Sequence, residues 1–334
     1  FGLIFFIIGS PGVALAATLP TGANVVHGEV DLQTSKPDTL RIIQNSQSAI
    51  VNWQSFDIGH GALVDIVQPN IDAAMLSRVV GHNLSEIHGS LNANGHLYLI
   101  NPSGILFGSN ARIEVNALIA SSLDLADSAF LSGNISFDGD SEAKIMNLGS
   151  IKADEFAALI GGDVVNSGSI LSDGGAVGLL AAGTTFQVGQ TSGGTISLDI
   201  SGLLNGSATQ DGLIDVTSTN GEGGQVLVNG NIDVTATSRS STLANGAPIG
   251  DGGVVIYFSE NSASWKPDAI ISAEGGNVGG NGGFVELSGL LDLQLSGSHI
   301  STAAPNGETG IFLIDPVDIT ISSSSTSNLS LNGS

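Results

Sequence analysis

The sequence contains no cysteine, which removes disulfides and thiolate metal sites from consideration. Such a chain suits passage through an oxidising periplasm, although lack of cysteine does not by itself fix the compartment. Basic residues are also scarce: eight Lys and Arg stand against 31 Asp and Glu, for a formal net charge of −23. So few cations cannot neutralise phosphates, which argues against nucleic acid and anionic membrane surfaces as partners. No run of roughly twenty uninterrupted apolar residues is present, so no membrane-spanning helix is expected. The signature of unfolded chains is missing too, because hydrophobic residues make up 41% and the charges are dispersed.

What the chain does have is 47 glycines among 334 residues, with abundant Ser, Asn and Thr. Gly and Asn serve turns while Val, Ile and Thr serve strands, so the mixture reads as all-β with many tight corners. The length suits about two domains or one elongated one.

The N-terminal stretch FGLIFFIIGSPGVALA has an apolar run, a Gly-Ser-Pro-Gly break, then Ala14-Leu15-Ala16 before Ala17. That order is expected of a secretory signal with an A-x-A cleavage site at Ala14 and Ala16, leaving a mature protein from Ala17. A buried first strand is the alternative. Initiator Met and a basic leader are missing, so residues 1–16 are read as the remnant of a signal peptide.

Period-2 alternation recurs along the chain: Ala49, Val51 and Trp53; Val226 and Val228; Val285 and Leu287; Val317, Ile319 and Ile321. Each marks a short strand bounded by Gly, Asn or Ser. Residues 71–89 could form a helix or two strands around Gly81. A Gly-Gly-x-apolar unit starts at 161, 174, 193, 223, 252 and 282, irregularly at first and then 29 and 30 residues apart. A unit of that size cannot bury its own apolar face, so neighbours must stack. A parallel β-helix is expected, with a β-sandwich as the alternative. At roughly 25 residues and about 4.8 Å per coil, the rod would have about a dozen coils. The tail, residues 321–334, is polar and of low complexity, as in a linker.

Catalytic and metal signatures do not assemble. The Asp residues at 138, 173, 211 and 251 precede glycine, the ordinary use of Asp in solvated corners. His82, Glu86 and His88 have neither the spacing nor the order of a zinc-protease motif. GGNVGGNGGFVELSG lacks the Asp that calcium-binding nonapeptides place after their glycines. Neither a phosphate loop nor a nucleophile elbow is present. Sequons at Asn83, Asn134 and Asn205 are chance products of an Asn- and Ser-rich composition. The expectation is a non-enzyme without cofactor or metal. A β-helical polysaccharide-active enzyme and an autotransporter passenger remain as alternatives.

The most distinctive segment is LYLINPSGILFG, residues 97–108. Pro102 sets φ at the first turn corner, Gly104 can take φ > 0, and the Asn101 side chain can cap the turn. Ile105 and Phe107 then return to the core. Breaking this corner by Pro102→Ala or Gly104→Val should cost roughly 1–3 kcal/mol.

Together with ATLPTGANVVHGEVDL, IVNWQSFDIGHGALVDIVQPN and LNANGHLYLINPSGILFGSNARIEVNALIASSLDL, this segment resembles the secretion domain of two-partner secretion exoproteins. These are the filamentous-haemagglutinin-like adhesins and their relatives. Residues 17 to about 125 carry the likeness most strongly, and GIFLIDPVDITIS is similar to a segment just beyond that domain. The family motif Asn-Pro-Asn-Gly-Ile matches Asn101, Pro102, Ser103, Gly104 and Ile105, with Ser in place of the second Asn. The second motif, Asn-Pro-Asn-Leu, corresponds less well to Gln68, Pro69, Asn70 and Ile71.

The resemblance implies a right-handed parallel β-helix, a single-stranded solenoid with an N-terminal cap and extra-helical β-hairpins. It further implies a secretion domain over 17–260 and continuing coils over 261–320. Export would use a partner outer-membrane transporter, a barrel with periplasmic recognition modules. The product would be a secreted or cell-surface monomer of adhesin type from a Gram-negative cell, with an unnamed ligand on a host or neighbouring cell.

Overall fold

The computed structural model describes residues 18–189 and 195–315. The expected signal site at Ala14, Ala16 and Ala17, the strand of Val317, Ile319 and Ile321, and the polar tail lie outside the described residues.

Three ladders of short parallel strands wind around one core. The first joins Thr39–Gln44, Leu63–Val67, the opening halves of Ser90–Ile100, Arg112–Ser121 and Ser150–Ile160, then Ser169–Leu171, Leu213–Asp215, Ser241–Leu243, Ile270–Ser272 and His299–Ser301. The second joins Ser48–Trp53, Ala74–Val79, the closing halves of the same three long strands, Ala176–Gly189, Gln225–Gly230, Val254–Ser259, Phe284–Gly289 and Ile311–Ile314. The third is an eight-stranded sheet running from Ser85–Ile87 to Asp292–Leu295. Consecutive coils are therefore in parallel register on every face, which is the expected parallel β-helix and not a sandwich of paired hairpins.

Inward side chains stack in rungs: Val177, Val226, Val255 and Val285 are register partners, all buried. Among the described residues the first ladder has ten strands, fewer than the dozen coils expected from sequence. The difference comes from coil length: Gln225, Val254 and Phe284 are partners 29 and 30 residues apart, and two excursions consume further chain.

The later Gly-Gly repeats mark the corner between the first and second faces. There the backbones stack directly: a Cβ on Gly253 would lie 2.0 Å from the Gly224 carbonyl oxygen, and one on Gly283 2.0 Å from that of Gly253. No side chain fits between coils so placed. The pair at 161 serves a different corner, leading into Asp163–Asn166 on the third face. The pair at 193 lies outside the described residues; the strand that follows, Thr195–Asn205, runs antiparallel to Ala176–Gly189 as a hairpin. The early spacings were irregular for these reasons.

The helical reading of residues 71–89 is corrected: the segment forms strands Ala74–Val79 and Ser85–Ile87. Met75, Leu76 and Ser77 are all buried, because this part of the second face is covered on its outside as well. The cover is the excursion 122–143, with a short helix Asp127–Ser132, together with the hairpin. Phe130, Phe137, Phe156, Phe186 and Leu198 make this outer core, and Tyr98 meets Phe130 edge-on at 5.3 Å. Arg78 pins the excursion, donating to the Leu125 carbonyl oxygen at 2.5 Å and pairing with Asp124 at 2.9 Å and Asp127 at 2.8 Å. Burial opposes charge on this guanidinium, but the two carboxylates outweigh it and hold its pKa above the ordinary value.

At the opposite end, Asn24–His27 and Val30–Lys36 lie antiparallel on Ser48–Trp53 and Thr39–Gln44. They cap the first coil, whose open edge would otherwise invite pairing with another chain. Inside the corner between third and first faces, buried amides form a ladder: Asn147 donates to Asn166, and Asn166 to Gln210, each at 2.8 Å. Their remaining donors reach the carbonyls of Ser169, Leu213 and Gly212.

Candidate functional site: the Asn-Pro-Ser-Gly corner

The Asn101 to Gly104 turn joins the end of Ser90–Ile100 on the second face to Ile105–Phe107 on the third. It closes by the Gly104 N–H donating to the Asn101 carbonyl at 2.8 Å. Gly104 has φ 98°, and a Cβ there would lie 2.7 Å from the Lys144 carbonyl oxygen of the next coil. Glycine is thus required twice, by conformation and by space.

Asn101 is fully buried. Its Oδ1 accepts from the Ser103 N–H at 2.9 Å, and its Nδ2 donates to the Asn83 carbonyl and to Ser85 Oγ, both at 2.9 Å. Its backbone N–H donates to the Ser121 carbonyl at 2.9 Å. One side chain therefore caps its own turn and fastens it to the preceding coil, while the backbone fastens it to the next. Pro102 is exposed and Ser103 half-buried. Ser141, at the end of the excursion, donates from Oγ to the Pro102 carbonyl at 3.1 Å. Ile105 and Phe107 are buried in the rungs, Phe107 between Ile87 and Asn147.

Gln68, Pro69, Asn70 and Ile71 form a separate corner at the other edge of the second face, so the structure does not bring the two motifs together. Gln68 is nevertheless buried, like Asn101. It donates to the Ala73 carbonyl at 2.8 Å and accepts from the Gly95 N–H at 2.9 Å. Asn94 exchanges two hydrogen bonds with its backbone, at 2.7 and 3.0 Å. Pro69 and Asn70 are exposed, and Ile71 is 61% exposed instead of entering the core.

Of the partners, Asn83 stands out in the sequence only as a sequon, although it acts here through its backbone carbonyl, and Ser85 and Asn94 carry no sequence signal. Only the three-dimensional stacking of coils discloses them, since they lie 16 to 26 residues from the motif residues they hold. The pair of His96 and Glu155 was equally hidden: it spans the second face at 2.9 Å, with Asn116 donating to the same carboxylate. Burial first, and then the charge of Glu155, push the Tyr98 phenol above its ordinary pKa.

The residues weighed for catalysis or metal binding lie apart from this corner. His82 and Glu86 are exposed, His88 packs beside Gly108, and no three His, Asp or Glu converge on a metal-sized site among the described residues. Asp173 and Asp251 bind backbone N–H groups of Thr219 and Asn281 in neighbouring coils, both at 2.6 Å. A groove of about 660 Å³ that contains His60, His88 and Arg112 has no carboxylate in its lining.

A parallel β-helix with a capped first coil, an outer covering hairpin and an Asn-Pro-Ser-Gly corner defines a bacterial secretion-domain architecture. The model of the TPS secretion domain matches residues 16–292, and the chain belongs to this family, the two-partner secretion domains. It is 34% identical over 185 residues to a heme/hemopexin-binding protein of Haemophilus influenzae, covering 52% of this chain and 20% of that protein. A second protein of the same description and species is 40% identical over 116 residues, covering 34% of this chain and 12% of the relative. The chain thus spans about a fifth or less of the curated relatives it matches. Among solved structures, the HMW1 secretion domain from Haemophilus influenzae superposes with a TM-score of 0.52 at 22% identity. That match covers 89% of this chain and all of the other, and it shows the same fold.

Proposed function

We propose that this chain directs the export of an exoprotein through a cognate outer-membrane pore, a barrel with periplasmic recognition modules. The carrying observation is the family match over 16–292, which contains the intact corner at Asn101, Pro102, Ser103, Gly104 and Ile105. A signal ending at Ala16 would bring the chain to the periplasm, and the mature protein from Ala17 would emerge as a monomer. Residues 17–260 would serve as the secretion domain, 261–320 as continuing coils and 321–334 as a linker.

In this reading the motif acts through folding. A buried Asn101 offers no side chain to a partner that meets the finished domain, so the corner serves by closing its coil as the chain emerges. Gln68, Pro69, Asn70 and Ile71 would close a second corner in the same way. The chain is read as non-enzymatic, in keeping with the use of Asp173 and Asp251 to hold backbone N–H groups of neighbouring coils.

Beyond export, the surface role is read as adhesion of the haemagglutinin type. The description of the two curated relatives favours a second reading, capture of haem or haemopexin by the exported product. Expression of the chain behind a complete signal, with and without its pore, tests the first claim. Release to the medium only when the pore is present is expected, and equal release in both cases would refute it. Binding of the released product to haemopexin or to cell surfaces then separates the two roles.

A further inference from the structure

We propose that Asn220–Gly221 is a site of spontaneous deamidation and isomerisation, singled out by the way the coil stack locks the other Asn-Gly pairs among the described residues. The reaction is intramolecular. The backbone nitrogen of the glycine attacks the asparagine Cγ, the N–Cγ bond forms, and the Cγ–Nδ2 bond breaks. The attacking nitrogen gives its proton to solvent and ammonia leaves. Water then opens the succinimide at either carbonyl, giving aspartate or isoaspartate. It needs a free glycine N–H, a side-chain amide able to rotate, and room for a five-membered ring.

Seven Asn-Gly pairs fall among the described residues. In six of them, coil-to-coil hydrogen bonds or the strand ladder hold the reacting groups. Asn94 exchanges two bonds with the Gln68 backbone, and the Gly95 N–H donates to the Gln68 side chain. Asn205 accepts from Asn231, whose own Oδ1 takes the Gly206 N–H. Asn229 is buried within the strand Gln225–Gly230. Asn245 accepts from Ser272 Oγ and the Glu274 N–H, and the Gly246 N–H donates to the Glu274 carbonyl. Asn281 and Gly282 are tied in the same manner to Glu308. Asn306 is anchored on the Asn277 carbonyl at 2.7 Å.

Asn220 differs on every count. It is exposed, and neither its side chain nor the Gly221 N–H has a hydrogen-bond partner among the described residues. The nearest heavy atom to a Cβ on Gly221 is 3.6 Å away, which leaves the ring its space. The consequence is structural. The Gly221 carbonyl accepts the Ala247 N–H of the next coil at 2.8 Å, and isoaspartate inserts an extra backbone carbon just before it. A new carboxylate beside Glu222 also adds to an already acidic corner.

The test is peptide mapping by mass spectrometry after incubating the full chain, folded and in denaturant, at mildly alkaline pH. In the folded chain the Asn220 peptide should gain one mass unit and split into two isomers. The six locked pairs, which react only after local opening, should lag by about tenfold or more. In denaturant all seven should react at comparable rates, and Gly221→Ala should slow Asn220 in both states. A locked pair reacting as fast as Asn220 in the folded chain, or an inert Asn220, would overturn the proposal. So would a denatured chain in which Asn220 alone is fast, because sequence and not the fold would then set the order.

Discussion

Replacing Asn101 by alanine removes one side chain that makes three hydrogen bonds, to Ser103, Asn83 and Ser85. Each such bond contributes about 0.5–1.5 kcal/mol net, and a buried group left without a partner costs about 1–3 kcal/mol. Ser85 is 1% exposed and Asn101 fully buried, so water cannot readily take over these roles. The bonds are not additive, which brings the expected loss to about 3–5 kcal/mol, a large share of the ~5–15 kcal/mol typical of a folded domain. Urea unfolding followed by circular dichroism measures it, with the m-value held constant as the sign that the unfolded state is unchanged. Ser103→Asn, which restores the family residue at a half-buried position, should stay within about 0.5 kcal/mol. A loss below about 1 kcal/mol for Asn101→Ala would refute the view that this side chain closes the coil.

Other consequences can be measured in the same way. Gly253→Ala places a methyl group 2.0 Å from a backbone oxygen of the coil beneath; separating the coils should cost more than about 4 kcal/mol, seen as loss of soluble folded protein. Arg78→Ala leaves Asp124 and Asp127 without their cation, so hydrogen exchange should speed up over residues 122–138 while the inner rungs stay protected. Burial alone would raise the Asp211 pKa, but hydrogen bonds from Thr237, Arg239 and Ser167 outweigh it and depress the carboxyl. A depressed carboxyl stabilises the fold above its unfolded pKa and loses that contribution as pH falls through the folded one. The stability gap between the parent and Asp211→Asn should therefore be widest near neutral pH and close on acidification. Constant separation of the two curves across the acid range would contradict that assignment.

The inner core was legible in the sequence because each strand contributes its own alternation. Val226 and Val228, or Val285 and Leu287, point inward whatever the partner strand is. The Asn-Pro-Ser-Gly turn was legible for a similar reason: proline, glycine and asparagine carry their conformational preferences locally. The covering excursion was not. Leu123, Phe130 and Phe137 bury against the outside of the second face, and nothing in their own neighbourhood distinguishes that from a further coil. The same cover buries both sides of Met75-Leu76-Ser77, erasing the alternation that would have excluded a helix there. Asn147, Asn166 and Gln210 stayed invisible because their register partners lie 19 and 44 residues apart, the first spacing shorter than the later coils and the second lengthened by the antiparallel pair of Ala176–Gly189 and Thr195–Asn205. Gln68 illustrates the remaining gap: a weak match to a motif by identity is a good match by role, since its amide is buried and closes a corner as Asn101 does.

The central claim, that the Asn101 corner couples folding to export, is tested most directly by quantifying release of Asn101→Ala with the partner pore present. The parent and Ser103→Asn serve as references. Release should fall sharply for Asn101→Ala while Ser103→Asn matches the parent. Undiminished release of an Asn101→Ala chain whose folded stability has dropped would contradict the account.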